Sequence, residues 1–371
     1  MNRVIHLDLG QRSYDVKIGP GMIAELSQLA KLPHAQAAVV IADSTVASLY
    51  GRSVLEVLRE AKLHANLIDF PAGEANKTLA TYSSVLDRLF ALSPAVDRDT
   101  IIVALGGGVS GDLAGFVAAT ALRGLRWVQC PTTLLASVDA SVGGKTGVDH
   151  PAGKNLIGAF YQPLGVFIDV RTLKTLSDDE IRTGLAECVK HGAIRDVSLL
   201  DFLEQKRSAI FARDEDVLSD LVARNVAIKA EVVSADEKEA GVRAHLNFGH
   251  TIGHAIETLL GYGALSHGQA VSLGMVAACR IAVERRLIEP AYSDRLERLL
   301  ALLGLPVRWE HLAAAPGQHP DAEALLEIMR HDKKSRGGNV RMILPTAPGM
   351  VDIFTDISAG SIQQAVQYLG R

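Results

Sequence analysis

The stretch DTIIVALGGGVSGD, at residues 99–112, decides the fold of this chain. Residues 100–105 form a largely apolar run with β-branched residues that is typical of a buried strand, and an apolar helical pattern begins at Leu113. The glycines between them, Gly106, Gly108 and Gly111, match the pattern G-x-G-x-x-G. Glycines at such a turn let the main chain approach a pyrophosphate, and the N–H groups of the new helix favour its negative charge. The stretch therefore predicts a dinucleotide-binding α/β unit, and a plain turn at a strand end is the alternative.

The position of this stretch departs from the usual dinucleotide fingerprint in two ways. It lies far from the N-terminus, and no acidic residue closes a strand about 20 residues later. Asp43, which follows a strand predicted at 37–41, is an alternative partner for a ribose hydroxyl. That pairing would give a dinucleotide fold of unusual chain order.

Periodicity extends the prediction to the rest of the chain. Over the first 170 residues, short β-branched runs alternate with helical patterns, which predicts βαβ units and a mainly parallel sheet. The predicted strands are Ala37 to Ile41, Ala65 to Phe70, Thr100 to Leu105, Trp127 to Gln129 and Val166 to Ile168, with a further strand pattern in the first eight residues. From about Ser177 the apolar period becomes 3.6 residues, which predicts a helical second half. The predicted helices are 178–194, 214–234, 251–260, 268–284 and 291–303, and a short strand at Asn339 to Leu344 is expected to return to the main body.

Length and composition set the domain count and the class of protein. A chain of 371 residues exceeds the roughly 250 to 300 at which a single core stops growing. We therefore expect two domains, a Rossmann-like α/β dinucleotide-binding domain at 1–176 and an all-α domain at 177–371. With 48% hydrophobic and 22% charged residues the chain is typical of a globular protein, and its net charge of -4 argues against nucleic acid and anionic membranes as partners.

The cysteines and the apolar runs indicate where the protein works. Cys130, Cys188 and Cys279 are widely spaced and form no C-x-x-C pair, which argues against a disulfide framework or a structural zinc knuckle. No run of about 18 apolar residues predicts a membrane span, and the N-terminus lacks an apolar core of signal-peptide type. We therefore expect a reducing, cytoplasmic setting.

A glycine-rich stretch at 139–155 carries two lysines. Its Gly143-Gly144-Lys145-Thr146 resembles a Walker A loop, but Asp139 stands where the first glycine of that loop belongs, so we reject that interpretation. Lys145 and the pair Lys154-Asn155 remain in a turn-prone segment that is able to enclose a phosphate ester. A pair of solvated surface lysines is the alternative.

Histidines in the helical half give the strongest chemical signal. His250 and His254 are four residues apart and share one helix face, and His267 follows thirteen residues later. Glu187, with Lys190 and His191, lies on an earlier predicted helix. Two or three imidazoles with a carboxylate suit zinc, which in catalytic sites takes three protein ligands and leaves one position open. Spacing alone nominates His250 and His254 as the ligand pair, and ordinary core or surface histidines are the alternative.

Cationic residues occur around two charged segments. Lys229 and Arg243 flank the acidic segment 236–239, and Asp332-Lys333-Lys334 stands near the C-terminus. Charge runs are usually solvated faces, which is the alternative to a role in anion binding.

These motifs together resemble the 3-dehydroquinate synthase family over nearly the whole chain. The matching stretches are Gly73-Glu74 with Lys77, the 106–112 loop, Pro131 to Leu135, Asp139 through Asn155, Glu187 with Lys190, Leu246 through His254, Ser266-His267-Gly268, and Asp332-Lys333-Lys334. The resemblance implies an N-terminal α/β dinucleotide domain, a C-terminal helical domain and a substrate cleft between them. Family members commonly have Gly-Leu-Arg and His-Gly-Glu where this chain has Gly241-Val242-Arg243 and His267-Gly268-Gln269.

The resemblance also implies roles for particular residues. The zinc or cobalt ligands would be Glu187, His250 and His267, which moves His254 to the substrate and proton-transfer set and overrules the spacing argument. NAD contacts would be Asp43, Gly73, Glu74, Lys77, Gly108, Val109, Ser110, Gly111, Asp112, Thr132, Thr133, Lys145, Lys154, Thr172, Leu173, Lys174 and Thr175. Substrate contacts would be Asp139, Lys145, Asn155, Lys190, Lys229, Arg243, Asn247, His254 and one of Lys333 or Lys334. Arg123 would reach the phosphate site of a neighbouring subunit, which implies a homodimer.

The reaction that the resemblance implies belongs to aromatic amino acid biosynthesis. 3-Deoxy-D-arabino-heptulosonate 7-phosphate would be converted to 3-dehydroquinate and phosphate through transient oxidation by NAD, phosphate elimination, reduction and aldol closure. Three alternatives remain: another sugar phosphate cyclase, a metal-dependent polyol or glycerol phosphate dehydrogenase that releases NADH, and a nucleotide-binding protein without catalysis.

Overall fold

The computed structural model describes residues 2–261, 263–312, 320–331 and 340–370. The chain divides into two compact units, residues 1–177 with 213–238 and residues 178–212 with 239–371. The segment 213–238, expected in the helical half, thus belongs to the first unit. The boundary after residue 176 stays a prediction.

Strands and helices occupy the following ranges. The strands are β1 (Arg3–Leu7), β2 (Tyr14–Gly19), β3 (Ala37–Asp43), β4 (His64–Phe70), β5 (Ile101–Gly106), β6 (Arg126–Pro131), β7 (Lys145–His150), β8 (Gly153–Phe160), β9 (Gly165–Asp169), β10 (Met342–Ala347) and β11 (Met350–Phe354). The helices are α1 (Ser44–Val46), α2 (Arg52–Glu60), α3 (Leu79–Phe90), α4 (Gly108–Thr120), α5 (Asp178–Ile194), α6 (Val197–Phe211), α7 (Glu215–Ala235), α8 (His250–Leu260), α9 (His267–Glu284), α10 (Pro290–Leu302), α11 (Ala322–His331) and α12 (Ala359–Tyr368). No helix among the described residues is long and apolar enough to cross a membrane.

The first unit is built on a seven-stranded sheet in the order β1-β2-β9-β6-β5-β3-β4. Only the β1–β2 pair is antiparallel, which confirms the prediction of a mainly parallel sheet. Because side chains alternate along a strand, β3 sends Val40 to one buried layer and Val39 and Ile41 to the other. Helix α2 covers the first layer, and α3 and α4 cover the second. Both faces are therefore buried, as the continuous apolar runs of the central strands require.

Two contacts hold α7 in the first unit. Arg3 of β1 forms an ion pair with Asp220 on α7. Just beyond the end of the helix, both oxygens of Glu237 accept hydrogen bonds from the Arg12 guanidinium at 2.6 and 2.7 Å. These partners lie more than 200 residues apart in sequence, so periodicity alone did not reveal the packing.

The segment 145–160 is a β-hairpin and not the loop that its glycines suggested. Lys145 pairs with Phe160 and Gly147 with Gly158 in an antiparallel ladder. A Cβ on Gly158 would lie 2.0 Å from the carbonyl oxygen of Thr146, so the strands approach too closely for a side chain there. The glycines mark this close approach of two main chains.

Close helix packing organises the second unit. A Cβ on Gly274 of α9 would lie 1.9 Å from the carbonyl oxygen of Gly249, the residue before α8, and one on Gly253 would lie 3.0 Å from the Ala270 carbonyl. The main chains of α8 and α9 are therefore almost in contact. A capping box fixes the start of α9, because the Ser266 hydroxyl accepts from the Gln269 N–H while the Gln269 side chain accepts from the Ser266 N–H. Gln269 therefore serves as the capping residue at the position where the resemblance led us to expect glutamate.

The last predicted strand was misplaced. β10 pairs with β11 in a separate two-stranded sheet, with Met342 opposite Phe354, and it does not return to the main sheet. The second unit is thus helical with one ribbon, where an all-α domain was expected. Asn339, the first residue of that prediction, lies outside the described residues.

Candidate active site

The glycine loop, residues 106–112, joins β5 to α4. The helix begins at Gly108, five residues earlier than the apolar pattern predicted. Gly106 has a φ of +145°, and a Cβ there would lie 2.4 Å from the Ser110 Oγ, so glycine is required. Gly107, at the N-cap, has no side chain to cover the first N–H groups of α4. This close-packed turn with open helix N–H groups fits a pyrophosphate.

Asp43 ends β3 beside the glycine loop. One carboxylate oxygen accepts hydrogen bonds from the N–H groups of Thr45 and Val46, each at 3.0 Å, and thereby caps α1. The Ser110 hydroxyl donates to the other oxygen at 3.1 Å. The first turns of α4 contain the loop residues expected at NAD, which are Gly108, Val109, Ser110, Gly111 and Asp112. The structure thus brings Asp43 next to the loop, while its contact with a ribose stays a prediction.

A buried lysine links the glycine loop to the hairpin. Lys77 is 3% exposed, and its Nζ lies 2.5 Å from Asp112 Oδ2 and 2.6 Å from Asn155 Oδ1. Burial lowers the pKa of Lys77, but the charges of Asp112 and Glu74 overcome this effect and the pKa lies above its ordinary value. Gly73, with a φ of +102°, precedes the short 3₁₀ turn that leads to Lys77. The structure therefore groups a residue expected at the substrate, Asn155, with residues expected at NAD.

A second buried lysine contacts the turn before the hairpin. Lys229 on α7 is 5% exposed, and its Nζ donates to the carbonyl oxygen of Asp139 at 2.5 Å and to its Oδ1 at 2.7 Å. Lys145 opens β7, and Lys154 lies in β8. The first unit therefore carries Asp139, Lys145, Lys154 and Lys229 together with the glycine loop.

The remaining residues expected at NAD follow the ends of β6 and β9. Thr132 donates its N–H to the carbonyl oxygen of Gly106 at 2.9 Å, and a Cβ on Gly107 would meet the Thr133 methyl at 3.2 Å. The stretch Thr172, Leu173, Lys174 and Thr175 belongs to a 3₁₀ helix after β9. Tyr50 bonds to the Thr172 carbonyl and the Thr175 hydroxyl, at 3.1 and 2.7 Å. Lys174 is paired with Glu215 at 2.5 Å, and the side chain of Leu173 is in the core, so only its main chain is available to a ligand.

Three helices of the second unit form the candidate metal centre, Glu187, His250 and His267. Glu187 lies on α5, and each histidine is the first residue of its helix, α8 or α9. One donor atom from each of the three side chains lies within 4.8 Å of the others. Nε2 of His250 is 3.6 Å from Glu187 Oε1, and Nε2 of His267 is 3.5 Å from the same oxygen. One carboxylate and two imidazoles match the donor set of catalytic zinc.

The charges around the centre favour a cation. Glu187 is fully buried and forms an ion pair with Lys190, which is 1% exposed. Burial holds the pKa of His250 well below its ordinary value, so this imidazole is neutral as a metal ligand must be. Burial also lowers the pKa of His267, but Glu187 and Glu257 outweigh it and raise the pKa to about 9. The two carboxylates therefore favour positive charge at His267, which either a proton or a divalent ion supplies.

Comparison with known proteins settles the family. Residues 67–183 match the model for the 3-dehydroquinate synthase N-terminal region, and residues 184–335 match that for the C-terminal region. The chain belongs to the 3-dehydroquinate synthase family. It is 43% identical to a curated 3-dehydroquinate synthase of Vibrio atlanticus over 98% of both chains, and 44% identical to one of Desulforamulus reducens over 96% of this chain and 98% of that one.

Solved structures agree with this family and its fold. A 2-deoxy-scyllo-inosose synthase complexed with carbaglucose-6-phosphate, NAD+ and Co2+ is 26% identical, with a TM-score of 0.86 over 99% of this chain and 100% of that one. A 2-epi-5-epi-valiolone synthase from Streptomyces hygroscopicus with NAD+ and Zn2+ bound is 29% identical, with a TM-score of 0.86 over 99% of both chains. A probable glycerol dehydrogenase from Sinorhizobium meliloti, at 19% identity and a TM-score of 0.62 over 94% of both chains, shares the fold alone.

The placement of His254 separates the two ligand sets that the sequence suggested. Its ring centroid is 5.2 Å from that of His250 and 6.0 Å from that of His267. Donor atoms of His250 group with Glu187 and His267, whereas those of His254 group with Glu257 and His267. The geometry thus offers the family's ligand set, and the pairing of His250 with His254 by spacing finds no third donor of its own among the described residues.

Two further residues expected at the substrate, Arg243 and Asn247, lie in one 3₁₀ helix, Val242–Asn247. Arg243 is 2% exposed, and Asn247 donates to Glu239 Oε1 at 2.7 Å. Neither Glu239, which belongs to the charged segment 236–239, nor Glu257 was a candidate from the sequence pattern. The spacing of seven residues between His250 and Glu257 places both on one helix face and was the available signal. Lys333 and Lys334 lie outside the described residues.

Proposed function

We propose that this protein is a 3-dehydroquinate synthase, a carbon–oxygen lyase that converts 3-deoxy-D-arabino-heptulosonate 7-phosphate to 3-dehydroquinate and phosphate. The strongest support is the identity of 43% over 98% of the chain to a curated enzyme of that name. The buried donor set of Glu187, His250 and His267 gives the proposal its chemistry.

The metal centre would hold one zinc or cobalt ion through Glu187 Oε1 and the Nε2 atoms of both histidines. When bound, such an ion acts as a Lewis acid that makes the hydroxyl groups of the sugar more acidic. The ammonium group of Lys190 forms an ion pair with the other carboxylate oxygen of Glu187, Oε2. Lys190 is proposed to face the phosphate of the substrate. His254, one turn along α8 from His250, is proposed to carry protons to and from the substrate.

The glycine loop would hold the pyrophosphate of NAD on the first N–H groups of α4. When bound, NAD accepts a hydride from the substrate and later returns it. We assign Asp43 to a ribose hydroxyl. One of its carboxylate oxygens accepts from the Thr45 N–H and the other accepts from the Ser110 hydroxyl, so the orientation of the carboxylate is already set. Lys77, which lies outside this loop, holds the loop residue Asp112 in place by an ion pair.

Anionic groups of the substrate require buried cations. Arg243 is nearly fully buried, and Lys229 is held against Asp139, so the position of its ammonium group is set before substrate arrives. We propose these two for the carboxylate and Lys145, Asn155 and Lys190 for the phosphate. Fixed charges of this kind stabilise a leaving phosphate without reorganisation.

We further propose a cytoplasmic homodimer. Arg123 is exposed and, with Leu122, takes left-handed backbone angles, φ 67° and φ 50°, just before Gly124. Such angles are strained for side-chain-bearing residues, and strained residues cluster at active sites and ligand-binding segments. Presentation to a second subunit's phosphate site accounts for this. Three buried, free cysteines suit a reducing compartment.

One assay tests the proposed reaction. The full chain is incubated with the heptulosonate phosphate, a catalytic amount of NAD and zinc, while phosphate release and the NADH absorbance are followed. Release of one phosphate per substrate without lasting NADH is expected. Stoichiometric NADH would instead establish a dehydrogenase, and no phosphate from this substrate would contradict the proposal.

The activity of another sugar phosphate cyclase is the alternative function that the solved structures suggest. The cyclase complex with carbaglucose-6-phosphate superimposes with a TM-score of 0.86. Glucose 6-phosphate, the sugar that this ligand resembles, therefore serves as the competing substrate in the same assay. Phosphate release from the heptulosonate but not from glucose 6-phosphate is expected.

A further inference from the structure

Glu257 is a buried carboxylate beside the metal centre that the proposed reaction does not use. It lies on α8 seven residues after His250, and only 6% of its surface is exposed. Its Oε2 is 3.8 Å from Nδ1 of His267, the first residue of α9. Burying a carboxylate is costly, so its retention on this face calls for a charged or hydrogen-bonding partner.

The two histidines of the centre are oriented in the same way. Each turns Nε2 toward Glu187 Oε1, at 3.6 Å for His250 and 3.5 Å for His267. Each therefore turns Nδ1 away from the centre. Nδ1 of His250 lies 3.2 Å from the carbonyl oxygen of Phe248, and Nδ1 of His267 faces Glu257. Metal-binding histidines commonly donate their second ring N–H to such an acceptor, which fixes both tautomer and ring angle.

We propose that Glu257 is a positioning residue that holds His267 with Nδ1–H toward its carboxylate and Nε2 toward the metal. This inference rests on the proposed metal centre. His250 is held by a neutral carbonyl, whereas His267 is held by a full negative charge. The anionic partner makes His267 the stronger donor of the two, since it places more electron density on Nε2.

Metal affinity of the full-length chain tests this role. The ion is removed with a chelator, and zinc is titrated back in competition with a chromophoric chelator. Glu257→Ala is expected to weaken zinc binding about 100-fold and Glu257→Gln about 10-fold, because the glutamine amide still offers an oxygen to Nδ1–H. Both variants should still bind one ion per chain. Glu187→Gln, which removes a proposed ligand, should bind zinc more weakly than either.

A matched control and a spectrum separate positioning from a general structural effect. Glu297, on α10, accepts from Arg280 at 2.9 Å and from Arg308 at 2.7 Å, so Glu297→Gln removes a partly buried carboxylate away from the centre. Its zinc affinity should stay within threefold of the parent. The visible absorption of the cobalt-loaded protein should shift in Glu257→Ala and Glu257→Gln but not in Glu297→Gln.

The outcomes distinguish this inference from the proposed function. If the parent chain binds no zinc, the metal centre itself is wrong. If the parent binds zinc and turns over while both Glu257 variants bind within threefold of it, the positioning role is wrong and the function stands. Loss of stoichiometric binding in Glu257→Gln with retention in Glu187→Gln would make Glu257 a ligand, and would also overturn the inference. Should Glu257→Ala fail to fold, the isosteric Glu257→Gln decides.

Discussion

The glycine loop takes its residues from one continuous stretch of seven, whereas the metal centre draws one side chain from each of three helices up to 80 residues apart. The loop is proposed to bind through main-chain N–H groups, and it needs glycines where side chains would collide. The centre is proposed to bind a metal through side-chain atoms, which requires its helices to be held at a fixed separation. A local motif was therefore visible in the sequence pattern, while residue spacing alone did not give the donor set of the centre.

Charge is also arranged differently in the two regions. Near the glycine loop each buried lysine faces a carboxylate, Lys77 with Asp112 and Lys229 with Asp139. In the centre, the single carboxylate of Glu187 faces Lys190 and two imidazoles. Near the glycine loop, the charge of each buried lysine is therefore balanced by a carboxylate of the protein. In the centre, several potential donor atoms instead surround one point.

Removal of the metal should affect one region and spare the other. A strong chelator is expected to lower kcat by about 10³-fold or more, equivalent to about 4 kcal/mol, because the centre loses its Lewis acid. Zinc or cobalt should restore the rate. Binding of NAD, measured by calorimetry, should change by less than about threefold. A parallel loss of NAD binding would show that the regions are not independent.

Lys77→Met should destabilise the first unit by about 3 kcal/mol, because it leaves the buried Asp112 without its ammonium partner. Chemical unfolding monitored by circular dichroism measures the loss. Adding Asp112→Asn should recover part of it, since the second change removes the unpaired charge. Additive losses in the double variant would contradict the balanced pairing.

Gly106→Ala should cost about 2 kcal/mol of stability and weaken NAD binding, because a side chain at a φ of +145° collides with Ser110. Gly360→Ala in α12 is the matched control, because a Cβ there meets only ordinary contact at 3.7 Å. The control should be neutral or slightly stabilising. Unchanged NAD affinity in Gly106→Ala would remove the glycine loop from the cofactor site.

The pH dependence of Glu297 gives the smallest expected effect. Glu297 lies in the second unit and pairs with Arg280 and Arg308, so charges balanced by the protein itself are not confined to the first unit. Burial raises the pKa of Glu297, but hydrogen bonds from Arg280 and Arg308 outweigh it and the pKa lies below its ordinary value. Its stabilising contribution is therefore complete above about pH 4.3, the usual pKa of an unfolded glutamate, and falls as the pH drops through the lower folded value. The contribution should stay below about 1 kcal/mol because the pair is partly exposed.

Urea unfolding of the parent and of Glu297→Gln between pH 3 and pH 7 checks this sign. The difference between the two free energies of unfolding should be constant above about pH 5 and shrink below about pH 4. A difference that grows toward low pH would reverse the assignment.

Sequence periodicity located most of the fold because its signals are local. The helix predicted at 178–194 has those bounds, and α8 and α9 begin one residue before their predicted starts. The hairpin of β7 and β8 was hidden because glycines inside a ladder look like glycines in a turn. The place of α7 was hidden because Arg3, which pairs with Asp220 on α7, and Arg12, which pairs with Glu237 just beyond it, are distant in sequence.

The candidate site shows the same division. Spacing correctly placed His250 and His254 on one helix face, but it contains no information about which ring nitrogen points at Glu187. That orientation depends on Phe248 and Glu257, which set Nδ1 of each histidine. The family resemblance implies a ligand set different from the pair that spacing nominated, and its residue roles stay predictions.

The near contact of α8 and α9 has a consequence for protein engineering. Because Gly249, Gly253 and Gly274 let the two main chains touch, backbone geometry fixes the gap between residues 250 and 267. A designer can therefore exchange either imidazole for another donor and alter metal preference while the spacing stays constant. Replacing those glycines with alanine would instead widen the gap without changing the identity of any proposed ligand.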